Sequence, residues 1–122
     1  MSTSRHWAFA AWIAMFAAIA TGSLLPASDL PPPAFDGMDK LEHLFGYAVL
    51  SGWSVPLFAA RRARVAALLA VIAFGVAIEG AQGVFTATRE PDVLDALANA
   101  TGALLGQLVA FTRCANALRA RA

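Results

Sequence analysis

"MDKLEHLFGYAVLSGW" (38–53) is the stretch on which the fold turns. Asp39, Lys40, Glu42 and His43 crowd its first six positions, and the remainder is apolar. A helix on the surface of a soluble protein carries its polar residues down one face. This segment instead changes character along its length, as a helix does when it leaves a wet surface and enters an apolar medium.

The rest of the chain supports that reading. Its 122 residues fit a single domain, 59% of them hydrophobic and only 14% charged, against about 45–50% and about 25% in typical soluble proteins. A core of this size cannot hide so much apolar surface, so lipid is the expected solvent. The net charge of +1 gives no reason to expect a nucleic-acid partner. Cys114 is the only cysteine, has no ligand cluster around it in the sequence, and is expected to be a free thiol.

A spanning helix needs about 20 mostly apolar residues. Four windows satisfy this, at about 7–25, 41–60, 65–85 and 93–112. The first exceeds the apolar run of a signal peptide, about 7–15 residues, so an uncleaved helix is expected. "PASDLPPPAFDGMD" (26–39) reads as a loop, because its prolines remove backbone donors and fix extended geometry. Asp39 is placed to cap the second helix. "RRAR" (61–64) and "TATREPD" (86–92) supply the other connections, with Pro91 suited to a helix entry.

Arg5, Arg61, Arg62, Arg64, Arg113, Arg119 and Arg121 fall on one side of this arrangement, and Lys40 and Arg89 on the other. The positive-inside bias predicts cytoplasmic termini in an all-α, four-transmembrane-helix bundle. The arginines are expected to anchor helix ends at the headgroups.

This topology puts the polar residues of three helices at one depth, near the outer surface. Asp39, Lys40, His43, Tyr47 and Ser51 mark the second helix, Glu79 and Gln82 the third, and Asp95 and Asn99 the fourth, with Arg89, Glu90 and Asp92 in the loop between. His43, Tyr47 and Ser51 repeat every four residues, Glu79 and Gln82 are three apart, and Asp92, Asp95 and Asn99 follow at three and four. Each set therefore shares a helix face. A charge at a helix centre costs about 2.5–3.5 kcal/mol on insertion scales, so these stripes should meet inside the bundle. Glu79 is the deepest acid, and Arg89 or Lys40 is its expected partner. Gln107 lies apart, towards the cytoplasmic side. Gly102 and Gly106 form a small-xxx-small pair for close helix packing.

The series of blocks resembles the VanZ-like family of bacterial membrane proteins. The matching positions are Asp39, Lys40, His43 and Tyr47; Glu79 and Gln82; Arg89; Asp95 and Asn99; and Gly102 and Gly106, all in order over about residues 38–106. Many relatives have Phe directly after the His where this chain has Leu44, and a Gly or Pro before the Arg where it reads "TATR". The resemblance implies a multi-pass protein of the bacterial cytoplasmic membrane. The family's founding member is associated with teicoplanin resistance, and most relatives have no assigned reaction.

Three functional expectations follow. The polar cluster binds an anionic lipid headgroup, cell-wall precursor or antibiotic at the outer leaflet, with Arg89 and Lys40 meeting the anion. Alternatively it is a membrane-embedded enzyme, with His43 as general base, Glu79 or Asp95 as its partner and Arg89 stabilising charge. Or the polar groups only hold helices together. No nucleophilic Ser or Cys lies at the site. His43 with Glu79 and Asp95 could together ligate a metal, but one histidine with carboxylates is a weak metal signal beside paired histidines, so no metal or cofactor is expected. The bilayer is the expected partner, and an oligomer is compatible with the sequence.

Overall fold

A computed structural model describes residues 2–112 and 116–117, which are helical throughout their regular elements. The helices are α1 (Thr3–Leu24), α2 (Met38–Leu57), α3 (Arg61–Phe85) and α4 (Val93–Gly106), with short 3-10 segments at Ala27–Asp29 and Gln107–Phe111. Cys114, Arg113, Arg119 and Arg121 lie outside the described residues.

Among the described residues, three helical stretches are long and apolar enough to cross a membrane: Thr3–Leu24, Arg61–Phe85 and Val93–Phe111. At 1.5 Å per residue, the 22 residues of α1 reach about 33 Å, matching a hydrocarbon core of about 30 Å. The helix α2 has 20 residues but opens on Asp39, Lys40 and Glu42. Large apolar side chains stand exposed on the outer faces, among them Trp7, Ile13, Val76, Phe85 and Leu104. Such a surface suits lipid better than water.

Local chemistry moves several helix ends from their expected places. Gly37 adopts the left-handed conformation at φ 86°, and α2 begins immediately after it, at Met38. Asp39 thus sits inside the first turn and is not the cap; no side chain caps this helix. The "RRAR" stretch is the first turn of α3 and not a connection, in keeping with the good helix propensity of arginine. Regular α-helix ends at Gly106, and the chain continues as 3-10 helix to Phe111.

Packing centres on α2, whose closest neighbour is α4. Glycine makes this approach achievable: a Cβ on Gly102 would strike the Leu44 carbonyl, and one on Gly106 would strike the Ala48 carbonyl. Aromatic contacts bring in α1. Trp12 donates its indole N–H to the Leu50 carbonyl at 2.9 Å and stacks edge-on against Phe16 and Phe58. Phe16 in turn meets Phe74 of α3, with ring centres 4.9 Å apart.

The bundle has a basic end and an acidic end. At the basic end Arg5 donates to the Leu57 carbonyl at 2.9 Å and Arg64 to the Ala59 carbonyl at 3.0 Å. These arginines therefore serve the exposed carbonyls at the close of α2. At the acidic end α1 and α3 finish while α2 and α4 begin.

Candidate functional site

The acidic end gathers residues from all four helices. Lys40 lies at its centre, donating to Asp39 at 3.0 Å, Asp92 at 2.9 Å and Asp95 at 2.5 Å. Asp92 is the N-cap of α4, accepting from the Leu94 amide at 2.8 Å with its other oxygen. The hydrogen bond from Lys40 holds the Asp92 carboxyl below its ordinary range. One ammonium thus joins the start of α2 to the start of α4.

Beneath this layer, His43 meets Asn99 through Nδ1 and Oδ1 at 2.8 Å. Asn99 is only 1% exposed. Gly75 makes the room: a Cβ there would stand 3.0 Å from Tyr47 Cε1 and 3.1 Å from Asn99 Cβ. Tyr47 is buried beside it, and its hydroxyl has no hydrogen-bond partner.

Glu79, 5% exposed, completes the inner group. Its Oε2 accepts the Asp92 amide at 3.2 Å. That contact depends on the turn between α3 and α4, where Pro91 packs so tightly over Gly83 that an added Cβ would come within 2.5 Å of its ring. The other oxygen, Oε1, has no hydrogen-bond partner and lies 3.9 Å from His43 Nδ1. His43 Nε2 lies 3.8 Å from Asp95 Oδ2.

Neither cation expected for Glu79 takes that role. Lys40 is occupied by three aspartates, and Arg89 turns away to donate to the Ser23 carbonyl at 2.6 Å. Gln82 donates to the same carbonyl at 2.9 Å. Ser23 belongs to the last turn of α1, where carbonyls lack helical partners and a cation is favoured by the dipole. The sequence offered no sign of this link, because its acceptor is a backbone atom on a helix whose packing side was unknown.

The stripe of α2 also divides. Ser51 leaves the outer group and pairs with Gln107, which donates to its hydroxyl at 2.8 Å and its carbonyl at 3.2 Å. Ser54 joins them, donating to the Ser51 carbonyl at 2.6 Å. These groups form a separate polar patch towards the basic end.

Beside the acidic cluster a cavity of about 280 Å³ opens between α1, α2 and the α3–α4 loop. Ser23, Glu42, His43, Tyr47, Arg89 and the backbone of Gly22 and Gly46 contribute to its walls. Gly22 and Gly46 have no atom near the position a Cβ would take, so their bare backbone widens it. Arg89 forms no ion pair with any described carboxylate and donates one N–H to the Ser23 carbonyl. The cavity therefore offers one cation, Arg89, able to meet an anion, with the Glu42 carboxylate also on its wall.

No family model, no curated protein and no solved structure matches the chain.

Proposed function

We propose that the protein is a four-span membrane protein of the VanZ-like kind whose outer-leaflet cavity holds the phosphate of an anionic lipid headgroup. The apolar helices and exposed apolar faces support the membrane setting. The arginine distribution supports cytoplasmic termini, which turns the acidic end outward. The bacterial cytoplasmic membrane follows from the resemblance.

One observation carries the ligand reading: Arg89 lines the cavity without an ion pair to any described carboxylate. A phosphate oxygen would accept from the guanidinium, since arginine presents several donors in a fixed fork. Lys40 is excluded from this role because three aspartates already neutralise it.

The test is phospholipid retention after detergent purification, read by native mass spectrometry with added phosphatidylglycerol or phosphatidylcholine. Wild type should keep phosphatidylglycerol, and Arg89→Ala should lose it. Gln82→Ala is the control, since it loosens the same α1 carbonyl while keeping the cation. Equal retention by wild type and Arg89→Ala would overturn the reading.

A further inference from the structure

His43 lines the cavity, and its ring nitrogens approach two carboxylates, Nδ1 towards Glu79 Oε1 at 3.9 Å and Nε2 towards Asp95 Oδ2 at 3.8 Å. One ligand atom from each of His43, Glu79 and Asp95 lies within 4.8 Å of the other two. Each carboxylate has committed one oxygen and kept the other. Glu79 gives Oε2 to the Asp92 amide and leaves Oε1 without a partner, in a side chain only 5% exposed. Asp95 gives Oδ1 to Lys40 and turns Oδ2 towards His43 Nε2 at 3.8 Å. From this geometry we infer that His43, Glu79 and Asp95 form a site for a divalent cation of the Zn²⁺ and Mn²⁺ class.

The distances come near those an ion needs. Tetrahedral ligands at about 2.1 Å from a cation stand about 3.4 Å apart, so the 3.8 Å between His43 Nε2 and Asp95 Oδ2 would close by a few tenths of an ångström on binding. The surroundings suit one as well. A metal-binding histidine typically donates its second ring N–H to a carbonyl or carboxylate, which fixes the tautomer. Here Nδ1 meets Asn99 Oδ1 at 2.8 Å, so a proton on Nδ1 leaves the Nε2 lone pair free. Nitrogen with carboxylate oxygen is the donor mixture of borderline and harder divalent ions, not of thiophilic ones.

Charge points the same way. Asp39, Asp92 and Asp95 share the single Lys40 ammonium. Glu79 adds a further carboxylate that makes no ion pair with Lys or Arg among the described residues. Of the four, only Asp95 and Glu79 are largely out of water; negative charge held there needs a counter-ion or a proton, and the unpartnered Oε1 marks where a counter-ion would enter. This inference is independent of the lipid reading, which rests on Arg89.

The experiment titrates chelator-treated protein in detergent with Zn²⁺ and, separately, Mn²⁺, followed by calorimetry and thermal unfolding. Wild type should bind one equivalent and unfold at higher temperature when loaded. Glu79→Gln keeps the shape of the side chain, so it should match or exceed wild type in metal-free stability while losing at least ~10-fold in affinity. Asn99→Ala should lose about 10–100-fold in affinity through the orientation of His43. Opposite movement of stability and affinity in Glu79→Gln separates a ligand from a structural carboxylate. Absence of one-to-one binding to wild type, or unchanged binding by Glu79→Gln and His43→Ala, would overturn the site, the first outcome leaving Glu79 as a proton carrier.

Discussion

Replacing Gly106 by alanine tests the central packing of the bundle. A Cβ there would strike the Ala48 carbonyl oxygen and stand 2.8 Å from the Gly52 amide nitrogen and 3.0 Å from Ser51 Cβ. Carbon atoms prefer separations of about 3.5–4.0 Å, so Ser51 Cβ alone would have to retreat by about 0.5–1 Å. Two of the three obstacles are backbone atoms of α2, which cannot turn aside as a side chain can. Accommodation therefore means lifting α4 from α2. Overpacking of this kind costs about 1–3 kcal/mol, and backbone obstruction puts the cost at the upper end. Alanine recovers about 1 kcal/mol of helix propensity, leaving a net loss of about 2 kcal/mol. Gly80 of α3 is the comparison: nothing lies within 4 Å of its added Cβ, so only the gain of about 1 kcal/mol remains. Unfolding by titration with a denaturing detergent should separate the two variants by about 3 kcal/mol. A Gly106→Ala protein as stable as Gly80→Ala would refute the close approach of α2 and α4.

Other perturbations have defined signs. Because Lys40 holds the Asp92 carboxyl below its ordinary range, that carboxylate adds stability above about pH 4 and loses it as pH falls through the lowered folded value. Lys40→Met should flatten this part of an acid-unfolding curve. Trp12→Phe should cost about 1 kcal/mol through the lost bond to Leu50, and Trp12→Ala about 3–5 kcal/mol. Equal losses for the two would mean that the ring is not packed against Phe16 and Phe58. Gln107→Leu breaks the link to Ser51 and should cost about 0.6–1.7 kcal/mol in chemical unfolding, the range for hydrogen bonds between membrane helices.

Much of this architecture was legible in the chain. Long apolar runs announce helices because backbone groups in an apolar medium must pair within the segment. The prolines of 26–33 announce a loop because they cannot donate. Regular spacing placed His43 with Tyr47, and Asp92 with Asp95 and Asn99, because helical side chains three and four apart share a face. Pairing across helices was harder to read. Lys40 and Arg89 both looked like partners for Glu79, yet the rotations and offsets of α2, α3 and α4 bring Lys40 to Asp92 and Asp95. Ser51 follows His43 and Tyr47 on a helical wheel but lies a further turn along the axis, within reach of Gln107. Helix ends were misplaced for a local reason. Gly37 sets the start of α2 by its backbone conformation, a property that its neighbours Asp36 and Met38 do not reveal.

The Ser23 carbonyl has an evolutionary consequence. Gln82 and Arg89 both fasten α1 through it, and every residue type at position 23 would present the same oxygen. Position 23 is therefore free to vary in small side chains while positions 82 and 89 are constrained, and no matched substitution can repair the loss of either donor. Comparison of diverged sequences by correlated changes would leave this link invisible, although it ties the first helix to the last turn of the third.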